Sequence, residues 1–342
     1  MITLTPAGLY CEAGDFHIDP WRPVAHAVIT HAHSDHAGSG HGSCLVSRAG
    51  LEVTRRRTGA ASLQGVEYGE VAVRNGVRIS LHPAGHVLGS AQVRVEHRGE
   101  VWVVSGDYKL QPDPTCAAFE PVRCHTFITE STFGLPIYRW EPPALLFGQM
   151  NGWWQSNRSA GRASVVFAYA LGKAQRILAS VDAGIGPIYT HGAVEALIEC
   201  YRSAGVVLPA TRRVAAMPKG HDYAGALIVA PLSVQGTGWM RRFGDHADAF
   251  ASGWMQIRGV RRRRAVDRGF ALSDHADWPG LMQAIADSRA QRVFVTHGYS
   301  EPLARWLNES ALEAHAWPTR FIGEQGSAEF EAPAGEPDEA PP

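Results

Sequence analysis

Within six residues the chain sets three imidazoles and a carboxylate: His31-Ala32-His33-Ser34-Asp35-His36. The run follows an apolar stretch, 27–30, that reads as a strand, and it leads into Ala37-Gly38-Ser39-Gly40. Alternate side chains of a strand face opposite ways, so the four groups cannot converge on one; on a loop or a helix start they can. The fold must therefore end a strand just before His31 and turn the chain there. His31 and His33, two apart, are placed to face one metal ion. Asp35 and His36, a turn later, are placed to face a second about 3.5–4 Å away.

Two ions need more ligands than four, and three later positions share the same placement just after an apolar strand. His86 stands in Pro83-Ala84-Gly85-His86-Val87-Leu88-Gly89, Asp107 in Val103-Val104-Ser105-Gly106-Asp107, and His297 in Val293-Phe294-Val295-Thr296-His297-Gly298. Taken singly, a strand-end histidine is an ordinary polar residue. Together with the first cluster the positions make a set of His and carboxylate with no thiolate, which suits zinc, manganese or iron in hydrolysis. Sixteen histidines in 342 residues fit that reading. The five cysteines are an odd number with no Cys-x-x-Cys pair, which points to a reducing, cytoplasmic setting without a disulfide frame or a thiolate zinc site. No stretch approaches ~18 consecutive apolar residues, so no membrane span is expected, and the start, MITLTPAGLY, lacks the features of a signal peptide.

The first ~130 residues alternate short apolar runs with turns, and strands are expected at 27–30, 45–47, 77–81, 93–97, 101–105 and 126–129, with a short helix at 51–57. A new rhythm starts with a helix at 140–154. Strands at 163–170, 187–190 and 227–231 then alternate with helices at 173–181 and 193–203, the pattern of a parallel α/β sheet. From Arg264 the texture returns to that of the first part, with strands at 265–272 and 292–296 and helices at 278–287 and 301–313. The tail, 331–342, holds four Pro and four acidic residues and is expected to be disordered. The net charge of -1 hides an asymmetry: residues 136–268 carry 17 Lys and Arg against 8 Asp and Glu. A basic segment in a neutral whole is what a polyanionic partner would require, although a solvated basic face has the same composition.

On these residues the chain resembles the metallo-β-lactamase-fold nucleases of the β-CASP group. The His-x-His-x-Asp-His signature is matched at His31, His33, Asp35 and His36, and the early structural aspartate at Asp19. Glu130, in Thr129-Glu130-Ser131-Thr132, resembles the first β-CASP marker. His275, in Leu272-Ser273-Asp274-His275-Ala276-Asp277, resembles the second, and His297 the third. The resemblance covers residues 8–330. It implies an α/β fold: a metallo-β-lactamase αββα sandwich of residues 1–135 plus 265–330, with a β-CASP α/β cap inserted at 136–264.

The resemblance also implies roles. His31, His33, His86 and Asp107 would hold one divalent ion and Asp35, His36, Asp107 and His297 the other, zinc first, with manganese or iron as alternatives. Asp35 would orient or deprotonate the attacking water. His275, paired with Glu130, would hold the phosphate or protonate the leaving oxygen, since an adjacent carboxylate favours a charged imidazole. In the cap, Lys173 at a strand–Gly–helix element and Ser233 in Ala230-Pro231-Leu232-Ser233 would bind substrate, ordinary helix-cap roles being the alternative. The run from Arg258 to Arg268, with six Arg, would line the approach of a nucleic acid.

Within the group the chain is most similar to the bacterial ligase-associated DNA exonucleases. That implies an exonuclease acting on DNA in repair, beside an ATP-dependent DNA ligase and a helicase. A histidine at the third marker, His297, is instead the habit of RNA-directed members and keeps open an RNase resembling the mRNA 3'-end processing nucleases. A binding module with a degenerate site, and a small-molecule hydrolase, complete the alternatives. The full ligand set argues against the first of these and the basic cap against the second.

Overall fold

The computed structural model describes residues 1–259 and 266–319, so arginines 261–264 of the basic run and the tail 331–342 lie outside the described residues. The chain divides by its contacts into two units. One is Met1–Arg139 together with the segment from Asp274; the other is Trp140–Ser273, which interrupts the first in sequence.

The first unit holds two sheets. One orders β1 (Ile2–Thr5), β2 (Gly8–Cys11), β3 (Phe16–Ile18), β4 (His26–Val28), β5 (Ser43–Ser47) and β6 (Leu63–Val66) as they follow in the chain. The other contains β7 (Val71–Arg74), β8 (Val77–Pro83), β9 (Ala91–His97), β10 (Glu100–Val104) and β11 (Thr126–Thr129), then β18 (Arg292–Val295) and β19 (Glu313–Ala316). Its order is β19-β18-β11-β10-β9-β8-β7, so the late strand β18 pairs in parallel with the much earlier β11.

Side-chain alternation builds the layers. Trp102 and Val104 of β10, and Ile128 of β11, point into a core shared with Phe16, Ile18 and Val28 of the first sheet. Their neighbours Val103 and Phe127 point the other way. There they meet Leu281, Ala284 and Ile285 of the helix Trp278–Ser288, and Leu303 and Leu307 of the helix Ser300–Glu309. Ala27 and Ile29 face outward from the first sheet against Leu51, which starts the helix Leu51–Thr58. The unit is thus helix, sheet, sheet, helix. Asp277 caps the helix Trp278–Ser288 by accepting from Gly280 N at 3.0 Å, and a proline sits in its first turn.

The second unit has one fully parallel sheet. It holds β12 (Ala163–Phe167), β13 (Ile188–Thr190), β14 (Arg212–Arg213), β15 (Leu227–Ala230), β16 (His246–Ala251) and β17 (Arg268–Phe270), ordered β14-β13-β15-β12-β16-β17. β12 and β15 are buried along their whole length, as central strands of a parallel sheet are. Its fully described α-helices are Pro143–Ser159, Lys173–Ser180 and Gly192–Ser203. Because β17 pairs with β16, this unit continues to Ser273, past the expected return at 265.

Among the differences from the sequence reading, two concern where an expected element stops. The expected helix 301–313 stops at Glu309, and Glu313–Ala316 forms β19 beside β18. The strand read as 163–170 stops at Phe167, where the chain turns toward Gly172. No helix among the described residues is long and apolar enough to cross a membrane.

Candidate metal centre

Five strands of the two facing sheets deliver the site. His31 follows β4, His86 follows β8, Asp107 follows β10, Glu130 follows β11 and His297 follows β18. His33 Nδ1 lies 3.1 Å from His31 Nε2 and 3.1 Å from His86 Nε2. Asp107 Oδ2 is 3.5 Å from His31 Nε2 and 3.8 Å from His86 Nε2. Donors around a tetrahedral ion with bonds of ~2.0–2.1 Å are spaced ~3.3 Å apart, so these four atoms have the spacing of one coordination shell.

The tautomers agree with that geometry. His86 Nδ1 donates to the Asp274 carbonyl at 2.7 Å. Thr30 spends its only hydroxyl hydrogen on Asp19 Oδ2 at 2.6 Å, so its oxygen accepts from His31 Nδ1 at 3.0 Å. In both rings the outer nitrogen carries the hydrogen, and the Nε2 lone pair faces the cluster. Burial, then the neighbouring His36 and His86, hold His31 well below the ordinary imidazole range. Burial, then His275, pushes His86 down to about 3. Neutral lone pairs turned on one another in a dry site repel, and a cation is what relieves them.

A second group shares Asp107. His36 Nε2 is 3.4 Å from Asp107 Oδ2, while His36 Nδ1 is 2.7 Å from Asp19 Oδ2. Burial pulls His36 down, but Asp107, Asp19 and Asp35 outweigh it and carry the ring well above its ordinary value. His36 Nε2 and Asp107 Oδ1 are both buried without a hydrogen-bond partner among the described residues. Two such atoms at the junction of the two groups are open coordination positions, so the donors fit divalent cations. His297 stacks on His36 with ring centroids 5.2 Å apart. Half-buried Asp35 lines the same small cavity as Asp19, His36 and His297.

Glu130 and His275 form the third part. His275 Nδ1 is 2.8 Å from Glu130 Oε2 and 3.9 Å from Asp107 Oδ2. The other Glu130 oxygen accepts from Tyr108 N at 2.8 Å. Asp107, Glu130 and His275 make a group that could itself hold a cation, beside the group of His31, His33, His86 and Asp107.

Comparison with known proteins gives relatives of two kinds. A "Probable DNA ligase" of Opitutus terrae is 30% identical over 328 residues, 94% of this chain, yet the chain spans only 31% of that protein. "Endoribonuclease YSH1" of Saccharomyces cerevisiae is 30% identical over 122 residues, 35% of this chain and 15% of the relative. "Cleavage and polyadenylation specificity factor subunit 3" of Dictyostelium discoideum is 28% identical over 124 residues, 35% of this chain and 16% of the relative. The chain is of the β-CASP metallo-β-lactamase type. No family profile matches it. A crystal structure of a protein of unknown function from Enterococcus faecalis shares the fold, with a TM-score of 0.60 at 11% identity over 86% of this chain and 79% of that one.

In this β-CASP-type chain the two residues read as substrate-binding belong to the second unit. Lys173 is buried at the start of its helix, with Nζ 5.0 Å from the centre of the Tyr169 ring. Ser233 is exposed in the short turn of helix Leu232–Val234. Sequence reasoning missed the groups that aim the ligands: the Thr30 hydroxyl, the Asp274 carbonyl, and Thr296 Oγ1, 2.9 Å from His297 Nδ1. Thr30 and Thr296 each directly precede a histidine at a strand end, and that adjacency was the available signal. A backbone carbonyl has none.

Proposed function

We propose that this chain is a metal-dependent phosphodiesterase that degrades DNA from an end, working beside a DNA ligase and a helicase in repair in the cytoplasm. One observation carries the hydrolytic part of the reading. Donors of His31, His33, His36, His86 and Asp107 converge, the outer nitrogens of His31, His36 and His86 are tied, and two buried atoms at their junction lack a hydrogen-bond partner among the described residues. His31, His33, His86 and Asp107 would hold one ion, and Asp35, His36, Asp107 and His297 the other, with zinc the first candidate. When bound, such a pair of cations lowers the pKa of water toward neutrality and offsets the charge of a phosphate.

The chain's own groups do the rest. Asp35 orients the attacking water and takes up its proton. His275 has Nδ1 occupied by Glu130 and so offers Nε2 to the phosphate or to the leaving oxygen. Glu130 is fixed by the Tyr108 amide, so it holds the imidazole in one orientation. Lys173 and Ser233 bind the substrate's phosphates. The relative named a DNA ligase, which matches nearly the whole chain, supports DNA as substrate and a ligase as partner.

The matches to endoribonucleases, together with His297, favour a second reading, an RNase. A paired assay decides. Metal-loaded protein is given 5'- and 3'-labelled single-stranded DNA and RNA of one sequence, with Asp107→Ala as control. Stepwise loss of DNA nucleotides, absent in the control, is the expected result and reveals polarity. Cleavage of RNA alone transfers the protein to RNA processing, and cleavage by the control removes the two-metal reading.

A further inference from the structure

Beyond the ligands, the first unit buries a lysine that the chemistry above does not use. Lys109 Nζ lies 2.6 Å from Asp113 Oδ2, with the two side chains 0% and 3% exposed. Asp113 Oδ1 accepts from both the amide and the hydroxyl of Thr115, at 2.9 and 2.6 Å. The pair therefore closes the loop that leaves Asp107. A buried ion pair is a poor source of net stability, because removing two charges from water costs about what their attraction returns. Its position asks for another explanation.

The three residues 107–109 touch every other loop of the first unit that brings a group to the centre from outside the first sheet, His297 apart. Asp107 supplies the shared carboxylate. Tyr108 N donates to Glu130, and the Tyr108 carbonyl accepts from Ala276 N, next to His275, at 2.6 Å. Lys109 N donates to the Ala84 carbonyl at 3.0 Å, two residues before His86. The Lys109 carbonyl lies so close to Gly85 that a β-carbon there would be 2.2 Å from it. The loops of His86, Glu130 and His275 are thus referenced to one tripeptide, and the ion pair fixes the far end of that tripeptide.

We propose that Lys109 and Asp113 are positioning residues for the metal centre: their buried ion pair sets the Asp107-Tyr108-Lys109 hub and hence the spacing of His86 and Asp107. The proposal rests on the metal reading above but concerns affinity rather than turnover. Residues that hold metal ligands in place typically contribute 10–100-fold in metal affinity.

The test uses the full chain and Co2+, read by its visible absorption and by titration. Lys109→Met removes the cation 2.6 Å from the buried Asp113 carboxylate and is expected to lose both melting temperature and Co2+ affinity. Lys109→Met/Asp113→Asn removes both charges but keeps the acceptor for Thr115. It is expected to regain melting temperature relative to Lys109→Met while Co2+ affinity stays 10–100-fold below wild type. If the Met variants do not fold, Asp113→Asn alone carries the test, with the same loss of affinity expected and Lys109→Arg expected to retain most of it. Affinity that returns with stability in the double variant, or wild-type affinity in Asp113→Asn, overturns the proposal. Failure of the wild-type chain to take up Co2+ would instead remove the metal reading itself.

Discussion

His275 is the residue proposed above to act on the phosphate or the leaving oxygen. Its Nδ1 is engaged by Glu130 at 2.8 Å, whereas His31 and His86 have theirs turned to Thr30 and a backbone carbonyl. A carboxylate partner is also what His36 has in Asp19, so the Glu130 contact fits either ligation or the phosphate contact and proton donation proposed above, and a variant separates the two. On the proposed role, His275→Ala is expected to keep full metal content while kcat falls by about 10²–10⁴-fold, the usual worth of a positioned acid. Metal analysis beside steady-state kinetics checks it; loss of an equivalent of metal would show that His275 is a ligand. At this scale the sequence made legible which His and Asp side chains stand after strands. The run His31 to His36, then His86, Asp107 and His297, each stand directly after a strand, and that placement is readable. The tying groups were not, because Thr30 is an ordinary strand residue and Asp274 acts through its backbone.

Among the elements, the loop between β8 and β9 is the most constrained. Gly85 has φ +73°, and a β-carbon there would meet the Lys109 carbonyl at 2.2 Å and Phe119 N at 3.0 Å. Gly76 has φ +78° in the turn joining β7 to β8, with nothing within 4 Å of a β-carbon. Gly76→Ala is expected to cost about 1–2 kcal/mol, the strain of a left-handed backbone alone. Gly85→Ala adds a collision with backbone that cannot swing away, so its cost is expected to be larger, on the order of 3 kcal/mol or more. Denaturant unfolding of both variants measures the difference, and equal costs would mean that the His86 loop moves freely. The same hairpin shows where the sequence reading fell short. Asn75-Gly76 is a strong two-residue turn signal, but β7 alternates exposed Val71 and Val73 with Ala72 and Arg74, so it lacked the buried face that made β8 to β11 readable. β19 was missed for another reason: its four residues follow a helix closely and share its composition, and only pairing with β18 makes them a strand.

For the molecule as a whole, metal and fold are expected to be coupled. Donors whose lone pairs face one another are relieved only by cations, so stripping metal with a chelator should lower the melting temperature, and adding Zn2+ back should restore it. A melting temperature indifferent to chelator would mean that the histidines repel too weakly to matter. The thiols give a second global readout. Burial pushes Cys124 up to about 12 and also raises Cys11 and Cys44. The thiolate is the reactive form, so at pH 8 these three should react with a disulfide reagent far more slowly in native than in unfolded protein. Labelling at equal rates would show that the cores around them open readily. The sequence alternates two textures, and the contacts divide the chain into two units. The alternation did not reveal that the middle segment runs to Ser273, because the three residues of β17 are claimed by that segment through pairing with β16 and not through any pattern of their own.

The interruption of the first unit has a consequence for how the chain leaves the ribosome. β18 lies between β11 and β19 in the finished sheet, yet about 160 residues separate β11 from β18 in sequence. At ~5–20 residues per second, β11 waits on the order of ten seconds or more with one row of amides and carbonyls unmet. During that interval the nascent sheet has an open hydrogen-bonding border, and His275 and His297 have not yet been made. Such a border is a template for pairing with other chains. The expected outcome is that slowing translation within the middle segment raises the aggregated fraction, whereas slowing it after β18 does not.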